Sequence, residues 1–202
     1  TAGPTYGQAF VFGGASNDDS LLGCIMRAPA NTSSSYNSCI WANGTGMTGK
    51  GLVIKGNTMT GGYYNTYIYG PTVAANYLND IVIDSNEVNG YYYYGLMLYY
   101  TNGMKVRYNR VTGGFPASSN YGIYMYNAYK SPEVIGNVIK DNYYSAFYFN
   151  YIQGNNATTD RAKVSNNVML SSSGVSSYYP AMWYYPTNTD FFNNTVVNNG
   201  SA

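Results

Sequence analysis

The chain contains no histidine and few charged residues, and both absences exclude whole classes of chemistry. Without histidine there is no Ser–His–Asp triad, no Cys–His pair and no histidine-based zinc site. Charged residues make up 9% of the 202 residues and the formal net charge is +1, which argues against a nucleic-acid partner, because such a surface needs a basic stripe. The sequence contains no run of eighteen apolar residues, so no membrane span is predicted. No phosphate-binding glycine motif follows a strand, so no cofactor is expected.

The two cysteines and a pair of aspartates leave alternatives open. Cys24 and Cys39 could form a disulfide, although the strand pattern points Cys39 inward and Cys24 outward, and Cys39 could instead be a small core residue. Asp18 and Asp19 lie in a Gly/Ser-rich loop that could hold calcium weakly or form a solvated turn. Two adjacent carboxylates are too few for a calcium site, so no metal is predicted.

What the chain has in quantity is asparagine in one recurring frame. An apolar residue lies three positions before each of these asparagines and another lies two positions after it. The six asparagines are Asn57, Asn86, Asn109, Asn137, Asn167 and Asn194, at spacings of 29, 23, 28, 30 and 27 residues. A repeat of 20 to 50 residues is typical of a solenoid or an array.

The repeating unit is a pair of short strands joined at the asparagine. Apolar and polar residues alternate before and after it, as in the segment 80–84, and alternation indicates half-buried strands. Asparagine tolerates the left-handed conformation and can turn the chain between strands. Stacked coils would place the six side chains above one another as an asparagine ladder. One period before Asn57, the frame predicts that Ala28 replaces the asparagine.

A third strand precedes each asparagine unit, in copies such as Tyr94–Tyr99 and Tyr121–Tyr126. Three short strands per coil and one asparagine-containing turn resemble the right-handed parallel β-helix of the pectin-lyase-like superfamily, over roughly residues 38–197. The resemblance implies an all-β solenoid, here of about seven coils, with residues 1–37 as irregular N-terminal coils and 38–202 as regular coils. The chain could be a fragment of a longer one. The family contains lyases, hydrolases and adhesins, so the resemblance does not fix the function.

The coil register assigns most charged residues to the outer surface of the asparagine unit. Stacking the repeats predicts columns in which the charge alternates in sign, since like charges about 4.8 Å apart would repel. The columns are Lys55–Asp84–Arg107, Lys105–Glu133–Lys163–Asp190 and Glu87–Arg110. These charges are therefore expected to be structural rather than catalytic.

The third strands carry an aromatic, charge-free outer face instead, in a chain with 26 tyrosines. The residues predicted on this binding or assembly face are Tyr94, Tyr99, Tyr121, Tyr124, Tyr126, Tyr144, Phe147, Phe149, Tyr179 and Tyr184. The face could simply stabilise the sheet by stacking, form a protein–protein interface, or bind glycans. The composition, low in charge and rich in Asn, Ser, Thr and Tyr, suggests an extracellular or cell- or virion-surface protein.

Two functions from different classes therefore remain. The first is a non-catalytic solenoid, a fibre, tailspike-like shaft or glycan-recognising surface protein, that self-associates or binds polysaccharide through its tyrosines. The second is a polysaccharide lyase or glycoside hydrolase with its groove on the same face. The second would need a charged residue from a turn to converge on the tyrosines, and the candidates are Lys50, Lys130, Asp141, Asp160 and Arg161.

Overall fold

The computed structural model is built almost entirely of short strands that pair in parallel. It describes residues 7–29, 34–43, 48–113, 120–155, 158–171 and 179–198. Within these ranges one 3-10 turn, Ala74–Asn76, accompanies the strands. In chain order the strands are β1 (Gly7–Phe12), β2 (Ala15–Asn17), β3 (Ser20–Leu22), β4 (Ile25–Arg27), β5 (Asn37–Asn43), β6 (Thr48–Lys50), β7 (Val53–Lys55), β8 (Thr58–Thr60), β9 (Tyr64–Tyr69), β10 (Leu78–Asn79), β11 (Val82–Asp84), β12 (Glu87–Asn89), β13 (Tyr94–Asn102), β14 (Lys105–Arg107), β15 (Arg110–Thr112), β16 (Tyr121–Tyr129), β17 (Glu133–Ile135), β18 (Val138–Lys140), β19 (Ser145–Ile152), β20 (Ala162–Ser165), β21 (Val168–Ser171), β22 (Ala181–Tyr184), β23 (Thr189–Phe192) and β24 (Thr195–Asn198).

These strands form three sheets that the chain visits in turn on every coil. The first sheet has ten strands and contains the long strands β1, β5, β9, β13, β16, β19 and β22. The second has the order β23-β20-β17-β14-β11-β7-β3, and the third has the order β24-β21-β18-β15-β12-β8-β4. Seven strands in a column make six coil-to-coil steps, about 29 Å at about 4.8 Å per step. The predicted parallel β-solenoid is confirmed, with about six full turns.

The core is a column of apolar side chains enclosed by the three sheets. The second and third sheets contribute one fully buried residue from the middle of each short strand in the central coils, for example Ile83 and Val88. The long strands contribute two inward columns. One contains Leu96, Ile123 and Phe147 at 0% exposure, and the other contains Leu98 and Met125. Burying such a side chain contributes about 1.5–3 kcal/mol, so the stacked coils supply the hydrophobic stabilisation that no single coil could.

The asparagine ladder lies between the second and third sheets, and all six predicted members belong to it. The Nδ2 atom of each donates to the Oδ1 atom of the next asparagine, at 2.9–3.0 Å from Asn57 to Asn194. The same Nδ2 atom also donates to a main-chain carbonyl one coil below, such as Ile83 O for Asn109. The backbone N–H of each asparagine donates to the Oδ1 atom of the next asparagine as well, so that each of these Oδ1 atoms accepts two hydrogen bonds from one neighbour. Each buried amide is thereby satisfied along the axis.

The prediction that Ala28 begins this ladder is wrong, because Cys24 occupies the position. Leu21 pairs with Ile54 and Met26 pairs with Met59, so the register places Cys24 beside Asn57. The backbone N–H of Cys24 donates to Asn57 Oδ1 at 2.8 Å. The first coil is longer than the period assumed, and a cysteine side chain cannot continue the amide ladder.

Both cysteines are free thiols. The Cys24 Sγ atom contacts the Leu22 carbonyl, whereas the Cys39 side chain is fully buried and donates towards the Thr60 carbonyl at 3.4 Å. Burial raises the pKa of the Cys39 thiol to about 11, so it remains protonated at neutral pH. Cys39 is the small core residue that the sequence allowed as one alternative.

The predicted charge columns are present in the strand register. Lys55, Asp84 and Arg107 occupy neighbouring positions in the second sheet, and Glu87 is paired with Arg110 in the third. Only some of the ion pairs form between neighbours in the same column. Lys55 contacts Asp84 at 3.9 Å as expected. Two acidic residues of the longest column reach sideways instead, where Glu133 pairs with Arg107 and Asp190 pairs with Arg161. Arginine has the length and the donor fork for a diagonal contact.

Candidate functional site: the tyrosine wall

The outer face of the long strands forms a continuous aromatic surface, called the tyrosine wall below. Strand register stacks its members in three columns. The columns are Tyr64–Tyr94–Tyr121; Trp41–Tyr67–Met97–Tyr124–Tyr148–Met182; and Tyr69–Tyr99–Tyr126–Asn150–Tyr184. Tyr144 and Tyr179 stand at the edge of the first column, just before β19 and β22, with ring centroids 6.2 Å apart. Eight of the ten residues predicted on this face therefore belong to it or border it.

Phe147 and Phe149 were placed on the outer face wrongly. They are 0% and 1% exposed and pack inside the solenoid with their ring centroids 5.0 Å apart. Strand β19 pairs Ser145, not Tyr144, with Tyr121, so the register differs by one residue from the predicted one. A shift of one residue turns every side chain of a strand to the opposite face. Tyr148 is the true outward member of this coil.

A register error of the same kind hid three members of the wall in the coil that contains β9. Tyr64, Tyr67 and Tyr69 face outward from β9 and are absent from the predicted face, because a register shifted by one residue puts Asn65, Ile68 and Gly70 there instead. Asn65 and Ile68 are in fact fully buried. The doublet Tyr63–Tyr64 aligns with Tyr93–Tyr94 and was the signal that could have fixed this register.

The rings of the wall contact one another without a break over six coils. One path joins Trp41, Tyr67, Tyr69, Tyr99, Tyr124, Tyr148 and Tyr184, with successive centroid distances of 4.4, 6.0, 5.3, 5.6, 4.4 and 5.5 Å. Many of the contacts are face to face. The interplanar angle is 6° for Tyr124 and Tyr148 and 12° for Tyr94 and Tyr121. Aromatic pairs of this kind contribute about 0.5–1.5 kcal/mol each beyond the area they bury.

This stacking determines which atoms the wall presents to a partner. Where a ring is stacked by the coil above and the coil below, both of its faces are covered by other rings, as for Tyr94 between Tyr64 and Tyr121. The parts that remain accessible are ring edges and phenol hydroxyls. A hydroxyl both donates and accepts hydrogen bonds, so the central wall offers rows of neutral polar groups about one coil spacing apart.

The phenols of the wall are held in their neutral form. Burial, followed by the neighbouring tyrosines, raises the pKa of Tyr64 to about 12, and burial also raises the pKa of Tyr124 to about 12. The pKa values of Tyr94, Tyr99 and Tyr121 are raised by burial and by surrounding phenols as well. At neutral pH these groups are poor proton acceptors and carry no charge.

Charged side chains lie elsewhere in the fold. Every Asp, Glu, Lys and Arg of the sequence falls within the ranges that the structure describes, and the seven long strands contain none of them. The charged residues occupy the second and third sheets, the turns and, for Lys50, the short strand β6 of the first sheet. The wall therefore carries no charge at neutral pH, because its strands contain no Asp, Glu, Lys or Arg and its phenols are protonated.

The five charged candidates for catalysis do not form one constellation on the wall. Arg161 donates to Asp190 at 2.7 Å, on the second sheet. Asp160 is exposed, and hydrogen bonds from Ser131 and Asn155 lower its pKa, away from the value a general acid needs. Lys130 and Asp141 are turn residues with positive φ, and Lys50 ends β6.

Two further properties bear on the class of protein. Among the described residues, no group of three or more Cys, Asp or Glu side chains is arranged to hold a metal ion. No helix in the same part of the chain is long and apolar enough to cross a membrane. Comparisons of the chain with protein-family models, with curated proteins and with solved structures find no match.

Proposed function

We propose that this protein is a non-catalytic, extracellular β-solenoid, a structural or adhesive subunit whose tyrosine wall mediates assembly or recognition. The observation that carries the proposal is an unbroken, uncharged aromatic surface on six consecutive long strands of the solenoid, β5 to β22. Tyrosine-rich, charge-depleted surfaces are typical of the centres of protein interfaces and of sites for neutral ligands. Kinship with the pectin-lyase-like β-helices, on the coil architecture alone, is part of the same proposal.

The chemistry of the wall favours binding over catalysis. Bond cleavage in polysaccharides by lyases or hydrolases needs a base or a pair of carboxylates within reach of the sugar. The wall supplies phenols whose raised pKa values disfavour proton abstraction, and its strands carry no carboxylate or amine. The rows of hydroxyls can instead donate hydrogen bonds to a hydroxyl-rich partner and accept them from it, without any proton transfer.

The partner proposed is a neutral, extended surface, either a polysaccharide or the wall of a second copy. Both offer hydroxyl groups and apolar edges, and neither requires charge on the protein. Because the ring faces in the centre of the wall are covered, a sugar chain would bind mainly through hydrogen bonds there. Ring stacking would be confined to exposed aromatics at the upper edge, such as Tyr179 and Tyr184 at 52% and 42% exposure.

A binding experiment with matched variants tests the proposal. Tyr126→Ser removes one ring and hydroxyl from the half-exposed third column, and Tyr108→Ser removes a 60% exposed tyrosine from the turn before Asn109, away from the long strands. Co-sedimentation with insoluble neutral and acidic polysaccharides detects glycan binding, and light scattering across a concentration series detects self-association. We expect Tyr126→Ser to weaken one of the two and Tyr108→Ser to leave both unchanged. Equal effects of the two variants, or a monomer that binds no polysaccharide, would contradict the proposal.

The enzymatic alternative is tested in the same samples. New reducing ends or unsaturated sugar products that disappear when Lys130, Asp141 or Arg161 is replaced would establish a carbohydrate-active enzyme instead. Such turnover would have to survive extensive purification and scale with protein concentration, which separates it from a contaminating activity.

A further inference from the structure

A second tyrosine feature lies outside the three columns of the wall, where the long strands end in the last two described coils: Tyr151 is the next-to-last residue of β19, and Tyr185 follows β22. Strand pairing sets Asn150 beside Tyr184, so Tyr151 and Tyr185 occupy equivalent places one coil apart. Both have the left-handed backbone, with φ of 57° and 51°. A non-glycine residue in this conformation leaves the strand direction, and here it aims both side chains away from the sheet.

The two rings are stacked and accessible at the same time. Their centroids are 4.8 Å apart and their planes differ by 11°. Tyr151 is 39% exposed and Tyr185 is 65% exposed, whereas the rings in the centre of the wall are half-buried or more. Nearly parallel rings at this separation bring carbon atoms of one close to those of the other. The pair therefore combines the proximity that a bimolecular coupling normally lacks with access for an oxidant.

The coil that contains Tyr185 is also weakly protected from solvent. Phe191, Phe192 and Val196 on its second and third strands are 41%, 45% and 48% exposed. Strands β22, β23 and β24 each pair with a strand on one side, the coil below. A solenoid repeat that pairs with one neighbour opens more easily than a repeat that pairs with two. A covalent bond from this coil to the one below would therefore act at one end of the described stack.

We propose that Tyr151 and Tyr185 form an oxidative coupling site, at which a dityrosine bond joins the last described coil to its neighbour. Hydrogen peroxide oxidises a peroxidase, which then takes one electron and one proton from each phenol and returns to its resting state. The two phenoxyl radicals join through ring carbons ortho to the hydroxyls, and transfer of the two ring hydrogens to the oxygens restores both aromatic rings. In sum, two tyrosines and one hydrogen peroxide give one dityrosine and two water molecules. This inference depends on the fold and not on the proposed function.

The bond would link residues 34 positions apart in sequence and adjacent in the fold. It would restrict the unfolded chain while leaving strand pairing intact, which is the manner in which a cross-link stabilises a protein. The expected consequence is slower opening of β22 to β24, since these strands could no longer separate freely from β19.

Treatment of the dilute protein with peroxidase and hydrogen peroxide tests the site. Dityrosine fluorescence reports the product, and tryptic mapping should join the peptide of residues 141–161 to that of residues 164–202. Tyr185→Phe, which keeps the ring and loses the hydroxyl, is expected to abolish this joined peptide. Tyr184→Phe is the matched control, because Tyr184 lies in the same peptide and contacts Tyr148 at 5.5 Å with a 42° tilt; this variant should retain the product.

Three results would overturn the proposal. The first is a joined peptide that persists in Tyr185→Phe, and the second is loss of the joined peptide in Tyr184→Phe at unchanged circular dichroism. The third is coupling between chains alone under conditions that couple free tyrosine. Hydrogen exchange of the amides in β23 and β24 tests the consequence, since exchange should slow in the oxidised protein, and unchanged exchange would refute the stabilising role. Tyr185 is mostly exposed, so its replacement by phenylalanine leaves folding intact and keeps the test decisive.

Discussion

Replacing Asn109 with alanine measures how much the asparagine ladder contributes to the stability of the solenoid. The Asn109 Nδ2 atom donates to Ile83 O and to Asn137 Oδ1, and its Oδ1 atom accepts from the backbone N–H and the Nδ2 atom of Asn86, all at 2.9–3.0 Å. The site is 1% exposed, so water cannot replace the lost partners. At about 1 kcal/mol for each bond, Asn109→Ala should lower the free energy of unfolding by about 3–5 kcal/mol.

The end of the ladder supplies the matched control. Asn194 also donates twice, to Val164 O and Phe192 O, and accepts twice from Asn167, but it is only partly buried. Water can therefore satisfy the groups that Asn194→Ala leaves behind, and the expected loss is about 1–2 kcal/mol. Urea unfolding followed by circular dichroism compares the two midpoints. Equal losses for both variants would refute the reasoning, because the number of bonds is the same and only burial differs.

Three shorter predictions follow from other parts of the fold. Glu133→Lys removes the partner of Arg107 and adds a positive charge to a basic column, so the free energy of unfolding should fall by about 1–2 kcal/mol at low salt and by less in high salt. The free energy of unfolding should fall as the pH rises from about 10, the ordinary tyrosine pKa, to about 12. The reason is that Tyr124 keeps its proton to about pH 12 in the folded protein and releases it earlier in the unfolded chain. Tyrosinate absorbance should then rise together with unfolding. Gly122→Ala should cost about 1–3 kcal/mol in thermal unfolding, because a Cβ there would lie 2.6 Å from a main-chain carbonyl of the next coil, whereas Gly13→Ala meets no atom within 4 Å and should be nearly neutral.

The sequence predicted the asparagine unit well, because one residue type in a fixed apolar frame leaves a single register possible. The six asparagines, the buried apolar neighbours of the first five and the charge columns were all recovered on that basis. The first coil was the exception. There Cys24 replaces the amide, and the pattern offered Ala28 at the expected spacing instead.

The long strands were harder to predict, since aromatic residues occupy both of their faces. In the segment 147–149, phenylalanine and tyrosine alternate, so aromatic residues fall on the outer face in either register. In this coil the distance from the ladder agrees with the observed register, but the distance is not a general rule, because Tyr67 lies ten residues after Asn57 and faces outward. Leu96 lies ten residues after Asn86 and points inward, and ten residues after Asn137 is Phe147, which points inward as well. The members of the candidate site thus depend on a strand register that alternating aromatic residues leave open.

The choice between tyrosine and phenylalanine separates the outer aromatic columns from the inner ones. In β19 the inward rings are Phe147 and Phe149, and the outward ring between them is Tyr148. A phenylalanine would stack as well as a tyrosine, so stacking alone does not require the hydroxyl. In the core the hydroxyl would need a buried partner, whereas on the outer face it keeps the row of rings compatible with water. If the wall serves only to stabilise the sheet, Tyr126→Phe should be silent in every assay. If the wall is a recognition surface, the same variant should keep its stability and lose affinity, because the stacked rings leave the hydroxyls and edges as the groups that a partner can reach.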